Sequence, residues 1–164
     1  MTVHDDVEQR MTGVLEQLQL VGLVGSIPGL SAVGAAQILA ETGDPARFDT
    51  ARALVKHAGL CPRDNASGAY QGTTTISGRG RPGLRVAAWR AVWGALPHNP
   101  VLQARYRHLT GRATNQLTDH QARAALAASL LRWLWVVATR RIPWDAAIAS
   151  GRIDPRKEVT APAA

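Results

Sequence analysis

The sequence predicts an all-α fold: a compact helical domain with a helix-hairpin-helix-like element and a long Gly/Arg-rich loop. Apolar residues recur at helical spacing through most of the chain, and Pro and Gly separate these segments. The stretch from Ala58 to Trp93 differs, because it combines glycines, hydroxyls and arginines. At 164 residues the chain is long enough for one compact domain.

Positive charge is concentrated in the second half of the chain. Residues 1–62 carry four Lys/Arg and seven Asp/Glu, which gives a formal charge of −3. Residues 63–141 carry twelve Lys/Arg and two Asp/Glu, which gives a formal charge of +10. A net charge of +7 favours a polyanionic partner, because each phosphate that an arginine neutralises releases counterions from nucleic acid. The predicted partner is therefore a nucleic acid, although a GC-rich genome would also enrich arginine.

The composition also bears on cellular location. A single cysteine, Cys61, excludes an internal disulfide and a zinc site built from cysteines. No stretch approaches the roughly 20 uncharged apolar residues that a membrane span needs. The first ten residues are polar and acidic, unlike a signal peptide. We expect a cytoplasmic protein with no membrane partner.

A heptad-like seam predicts the first helix. Its apolar residues are spaced by four, three, four and three positions: Val7, Met11, Val14, Leu18 and Val21. We assign residues 1–20 to the end of a coiled-coil-like linker helix. Such a seam can pack on its own domain or support a homo-oligomer, and the pattern leaves both alternatives open.

Pro28 and Gly29 predict a tight turn between two helices. Ser31 is placed to cap the second helix, which runs from about residue 32 to 41, and Gly43 is placed to end it. A helix-hairpin-helix presents backbone amides of such a turn to a DNA phosphate. Pro28 and Gly29 are therefore candidate nucleic-acid-binding residues, with a purely structural turn as the alternative.

Four further helices follow from capping residues and apolar periods. Their predicted caps or first residues are Asp49 or Thr50, Pro82, Asn99, and Thr118 or Asp119. The helix after Pro82 is predicted to bury its apolar residues, and the tryptophans are assigned to the core. The apolar residues are Leu84, Val86, Ala87, Ala88, Val92 and Trp93. Residues 146–164 are expected to form a flexible tail.

Ser67 is the candidate nucleophile in the loop. A serine hydroxyl attacks a phosphodiester only with a base or a cationic surround, and the following Gly68 allows a phosphate to come close. The other loop residues predicted to bind nucleic acid are the nearest cations, Arg63, Arg79, Arg81 and Arg85. A Ser-Gly pair is also common in ordinary turns, so residue chemistry alone leaves both interpretations open.

Five ordered blocks resemble the C-terminal domain of transposases of the insertion sequence 110/116/902 class. They are SIPGLSAVGAAQILAETGDPARF, LVKHAGLCPRDNASG, ISGRGRPGLRVAAWRAV, LPHNPVLQARYRHL and LWVVATRRIPWD. The resemblance covers Val21 to Asp145, so we assign residues 21–145 to a transposase C-terminal (serine) domain.

The resemblance implies specific site residues. In that family the serine nucleophile lies in the Ser-Gly after the Ala-Gly-Leu-x-Pro-Arg block, which implies Ser67. Ala66 stands where the family commonly has the first of two serines. The family's Ser/Thr-x-Arg-Gly-x-x-x-Leu-Arg block is matched by Ser77, Arg79, Gly80, Leu84 and Arg85, and this match adds Ser77 to the residues predicted to bind nucleic acid. The implied activity is site-specific DNA recombination guided by a structured RNA.

Family members also carry an N-terminal RNase H-like domain whose acidic residues bind a divalent metal. We expect no cofactor in this chain and a divalent metal in that absent domain. The chain is then a separated C-terminal piece, inactive unless the domain is supplied in trans, and its expected partners are DNA, a guide RNA and that domain. The alternatives are a non-catalytic helix-hairpin-helix nucleic-acid-binding module and an inert transposase remnant.

Overall fold

The computed structural model describes residues 3–63, 66–67, 70–71 and 75–149, and these residues form a helical domain. Within them the helices are α1 (Val3–Gln17), α2 (Val21–Gly25), α3 (Ala32–Thr42), α4 (Ala51–His57), α5 (Pro82–Ala95), α6 (Pro100–Gly111), α7 (Asp119–Arg140) and α8 (Ala146–Ala149). Short 3-10 turns lie at Pro45–Arg47 and Leu96–His98. The predicted all-α fold is confirmed.

The loop contains four short strands in its described part. They are β1 (Pro62–Arg63), β2 (Ala66–Ser67), β3 (Tyr70–Gln71) and β4 (Thr75–Ile76). Strand β1 pairs antiparallel with β4, and β2 pairs antiparallel with β3. Strands of two residues are too short to show in the sequence the alternation that is typical of a strand.

Helix α7 is the centre of the core. It packs against α2, α4, α5 and α6, and its buried residues include Leu126, Leu130, Leu131 and Leu134. Burying each leucine contributes about 2 kcal/mol. By length and composition α7 could cross a membrane, but 67% of its apolar window is buried inside the protein, as in a core helix.

The predicted helix caps are present. Ser31 Oγ accepts a hydrogen bond from the Gly34 amide, and Thr50 rather than Asp49 caps α4. Thr118 rather than Asp119 caps α7, in a reciprocal capping box with Gln121. These side chains satisfy amides that the first turn of a helix leaves without a backbone acceptor.

The N-terminal seam does not run along one helix as predicted. Helix α1 ends at Gln17, and Gln19 adopts a left-handed conformation with φ of 54° before α2 begins at Val21. The Leu20 amide bonds back to the Leu15 carbonyl, which is the Schellman ending of a helix. Leu15 and Leu20 are buried, and α1 packs on α3.

The exposed residues of the seam are Val7, Val14 and Leu18, each about half exposed. The predicted linker helix thus lies on its own domain through Leu15, which the seam did not include. Self-association through the remaining seam residues stays a prediction.

Helix α5 buries four of the six apolar residues predicted for its core face. Leu84, Ala87, Ala88 and Val92 are buried as predicted, whereas Val86 and Trp93 are 47% and 51% exposed. Apolar residues lie on nearly all sides of α5, so their spacing in the sequence does not indicate which of them are buried. Packing against α3 and α7 determines which of them are buried.

The predicted tail begins with the short helix α8 instead of irregular chain, and residues 150–164 lie outside the described residues. The chain leading into α8 is anchored to the domain. The Trp144 amide donates to Ser26 Oγ at 2.7 Å, and the Trp144 ring lies edge-on against Trp133, with centroids 5.4 Å apart.

Candidate nucleic-acid interface and serine loop

A short antiparallel stem carries the candidate loop. In the pairing of β1 with β4, Pro62 lies opposite Ile76 and Arg63 opposite Thr75. Towards the domain, the Ser77 amide donates to the Cys61 carbonyl at 2.8 Å. The chain entering the loop is thereby joined to the chain leaving it.

Two glycines allow the base of this stem to close. Gly59 and Gly80 have φ of 72° and 150°, conformations that other residues rarely adopt. A Cβ on Gly80 would collide with the His57 carbonyl oxygen, and the Arg81 amide donates to that oxygen at 2.8 Å. The end of α4 is therefore held directly against the start of α5.

Ser67 lies beyond the stem, on β2. Its backbone pairs with Tyr70 of β3, and residues 68–69, including the predicted Gly68, lie outside the described residues. The Ser67 side chain also lies outside the described structure. Its assignment as the nucleophile stays a prediction.

Two of the predicted arginines present their side chains to solvent on the stem and its base. Arg63 on β1 and Arg79 before α5 are both exposed. Neither has an ion-pair or hydrogen-bond partner for its side chain in the part of the chain that the structure describes. Ser77, between them along the ladder, is half-buried. The structure thus brings Arg63, Ser77 and Arg79 to one end of the loop.

The other two arginines are engaged within the protein. Arg85 Nη1 donates to the Ala58 carbonyl at 3.1 Å and to the Gly78 carbonyl at 3.3 Å. Arg81 Nε donates to Glu41 Oε2 at 2.7 Å. A DNA contact by either one would share its guanidinium with these partners, so both assignments stay predictions.

Glu41 is a member of the site that the sequence did not identify. A Cβ added to Gly83 would lie 2.5 Å from Glu41 Oε2, so the carboxylate contacts the first turn of α5. A carboxylate at a helix N-terminus is favoured by the helix dipole. The sequence feature that could have pointed to Glu41 is that it is the one acidic residue in α3.

His57 is the last residue of α4 and lies beside the base of the loop. Partial burial lowers the pKa of its imidazole, and the positive charges of Arg47 and Arg81 lower it further. Arg47 Nη2 lies 3.3 Å from His57 Nε2, and because arginine only donates, this nitrogen is the acceptor. The lone pair of His57 Nε2 is therefore already engaged by Arg47.

The Pro28–Gly29 turn lies at another place, against the junction of α5 and α6. The Pro28 carbonyl accepts from the side chain of buried Asn99 at 3.3 Å. A Cβ on Gly29, whose φ is 79°, would lie 2.7 Å from Ala95 Cα. These contacts give the turn a packing role, and its predicted phosphate contact remains a prediction.

A cavity of about 270 Å³ opens beside this turn, lined by residues that include Gly29, Ser31 and Arg90. Arg90 of α5 thus lies at this cavity, next to the N-terminus of α3.

The described residues contain no group of three or more His, Cys, Asp or Glu side chains that could hold a metal ion. These residues therefore do not fit a site for a divalent metal.

The match to a known family covers the turn, the stem and the serine loop. Residues 21–107 match the family model described as Transposase IS116/IS110/IS902 family, and they make up more than half of the 164 residues. No curated protein matches the chain. The chain belongs to the Transposase IS116/IS110/IS902 family.

Proposed function

We propose that this domain binds DNA and supplies Ser67 as the nucleophile for strand cleavage and rejoining in DNA transposition. The observation that carries the proposal is the stem, on which Arg63 and Arg79 are exposed without side-chain partners in the described structure. The serine strand continues from this stem, within the segment that matches the transposase family.

The positions of the two arginines suit them to hold DNA before the serine reacts. A guanidinium presents several donors in a planar fork that matches the oxygens of a phosphate. Arg63 precedes Ser67 by four residues along the loop, and Arg79 stands at the base of the stem. In this proposal they hold the DNA backbone while the hairpin brings the serine to the scissile phosphate.

The proposed reaction exchanges one phosphodiester bond for another. Ser67 Oγ attacks the phosphorus, and a bond forms between them as the bond to the leaving deoxyribose oxygen breaks. The serine gives its proton to a base in solution, and the leaving oxygen takes one up. A hydroxyl of a second DNA strand later attacks the same phosphorus, and the bond to Ser67 Oγ breaks. The phosphodiester is thereby rejoined without hydrolysis.

The proposal also includes partners for this domain. We propose a guide RNA and an N-terminal RNase H-like domain, with its divalent metal, as the components that complete the active site. The domain alone is then expected to bind DNA without cleaving it.

A second candidate is a non-catalytic nucleic-acid-binding module of the helix-hairpin-helix kind. It is favoured by Arg90, which lines the cavity at the N-terminus of α3 beside Gly29. In that case Ser67 is an ordinary hairpin residue. An inert remnant would show neither binding nor reaction.

The experiment combines the chain with DNA, guide RNA and an N-terminal domain in trans, and assays a protein–DNA adduct that survives denaturation. We expect an adduct with wild type and with Ser77→Ala, and none with Ser67→Ala. An adduct that persists in Ser67→Ala would refute the nucleophile. DNA binding without any adduct would favour the non-catalytic module.

A further inference from the structure

Trp93 is a large aromatic side chain that the fold leaves exposed. It lies near the end of α5, and 51% of the residue is accessible to solvent. A single exposed apolar side chain is common on a protein surface and needs no explanation by itself. Trp93 differs because side chains from three helices hold its ring in a fixed orientation.

Arg123 of α7 covers one face of the Trp93 ring. Its Cζ lies 3.8 Å from the centroid of that ring and 5.6 Å from the centroid of the Tyr106 ring on α6. Asp119 fixes the guanidinium, because Arg123 Nε donates to Asp119 Oδ1 at 2.9 Å and to Oδ2 at 3.1 Å. The Tyr106 hydroxyl donates to the same Oδ1 at 2.7 Å. The cation under the Trp93 ring is therefore in place before any partner binds.

Trp89, one turn earlier on α5, supports the Trp93 ring from the side of the core. The two rings meet at 70° with their centroids 6.4 Å apart, and Trp89 also stacks on His120 at 6.0 Å. Trp89 is itself half-buried and packs against the hydrophobic core. A ring that is already oriented loses little conformational freedom when a ligand binds, which favours affinity.

The exposed side of α5 combines this ring with a cation. Val86, Arg90 and Trp93 are all exposed, and their spacing of four and three positions places them on one side of the helix. We call this surface the Trp93 face. Helix α5 begins at Pro82, at the base of the serine loop, so Trp93 lies about 16 Å along the helix from that base.

The charges of the surrounding helices indicate what kind of partner the Trp93 face can bind. Helices α5, α6 and α7 contain two, two and three arginines and one acidic residue, Asp119, which is paired with Arg123. A symmetric contact with a second copy of the chain would bring these like charges together. Nucleic acid has the opposite charge, and an unpaired base offers a flat face that stacks on an aromatic ring.

We propose that Trp93 stacks on an unpaired base of a DNA strand and that Arg90 contacts a phosphate of the same strand. The proposal rests on the proposed DNA binding and names the part of the DNA that α5 contacts. Strands that are cleaved and rejoined to new partners must leave their complements near the scissile phosphate. At about 3.4 Å per nucleotide, a strand held at the base of the loop reaches Trp93 within about five nucleotides.

The test compares two labelled single strands by anisotropy over a salt series. One is an oligothymidylate, and the other is an abasic oligonucleotide with the same number of phosphates, so the difference in affinity reports contacts to bases. We expect wild type to prefer the oligothymidylate. Trp93→Leu should bind it about tenfold more weakly, with the same affinity as wild type for the abasic strand and an unchanged salt slope.

Two further variants show whether the ring itself is responsible. Trp93→Phe keeps a smaller ring in the same place and should show an intermediate preference, which tests the stack even if Trp93→Leu is unstable. Arg90→Met is the matched contrast on the same face of α5. It should weaken binding of both strands alike and make the salt slope shallower by about 1, because it removes a phosphate contact only.

The outcomes separate this surface from the proposed function. If wild type and Trp93→Leu prefer the oligothymidylate equally, or if Trp93→Leu weakens both strands alike, the stack is refuted while DNA binding stands. A loss seen only with an oligouridylate of equal length would refute DNA as the strand. If only wild type self-associates in sedimentation and the base preference is unchanged, the face binds a second copy instead. If wild type binds neither single strands nor a duplex, the proposed function fails as well.

Discussion

Arg85 and Gly78 are joined by a 3.3 Å hydrogen bond from the guanidinium Nη1 to the backbone carbonyl. The same nitrogen donates to Ala58 at 3.1 Å, so one side chain of α5 holds both the segment entering the serine loop and the segment leaving it. The loop is therefore mounted on a helix of the core, and its cationic residues divide into those that hold the loop and those that face solvent.

This division predicts different roles for Arg85 and Arg79. Arg85→Met should lower the free energy of unfolding by about 1–3 kcal/mol, because it leaves two carbonyl acceptors without their charged donor. Arg79→Met should change stability by less than about 0.5 kcal/mol but reduce the salt slope of DNA binding by about 1. Urea unfolding measures the stability of both variants, and anisotropy measures their DNA binding. A destabilised Arg79→Met, or an Arg85→Met with unchanged stability, would contradict these roles.

The ion pair of Glu41 with Arg81 predicts a gain of DNA affinity. The two side chains are 36% and 51% exposed, so Glu41→Gln should cost less than about 1 kcal/mol of stability. It frees the guanidinium and removes a carboxylate that repels phosphate. We expect tighter DNA binding in low salt and a salt slope steeper by about 1. Glu16→Gln, with the same charge change on α1, is the control; equal gains in both variants would point to net charge alone.

The close approach at Gly80 predicts a large loss of stability on adding one methyl group. Gly80→Ala combines a φ of 150° with a collision at the His57 carbonyl, and should cost more than about 2 kcal/mol. Gly13→Ala is the opposite case, because that position is helical and has open space around its Cβ site. It should stabilise the protein by about 0.5–1 kcal/mol. Thermal unfolding distinguishes them, and a tolerated Gly80→Ala would contradict the packing at the base of the loop.

The lowered pKa of His57 predicts a pH dependence of stability. Below 6.5 the unfolded imidazole takes up a proton before the folded one does, so unfolding is favoured as the pH falls. His57→Gln keeps an acceptor for Arg47 and removes this titration. The stability of wild type relative to His57→Gln should therefore decrease on going from above to below pH 6.5. A difference that is constant with pH would exclude the lowered pKa.

The sequence allowed most of the helices to be predicted because their signals are local. Ser31, Asn99 and Thr118 cap helices from within a few residues, and Gly43 and Gly59 end them with positive φ. The break after α1 was missed because Gln19 adopts the left-handed conformation without being a glycine.

The site was predictable only where its residues are close in sequence. Arg63, Ser77 and Arg79 belong to one short stem because the two strands that flank the loop pair with each other. Glu41 and Arg81 are 40 positions apart in the sequence and form an ion pair because α3 packs against α5. Such contacts depend on tertiary packing, which periodicity and motifs do not encode.

The measurement that tests the central claim most directly is the site of covalent attachment in the protein–DNA adduct. Trypsin cleavage after Arg63 and Arg79 leaves both serines of the loop, Ser67 and Ser77, in one peptide, residues 64–79, together with three threonines. Fragmentation of that peptide by mass spectrometry locates the nucleotide. We predict that the phosphodiester is carried by Ser67 alone. Attachment to Ser77, to a threonine or to a residue outside this peptide would contradict the account.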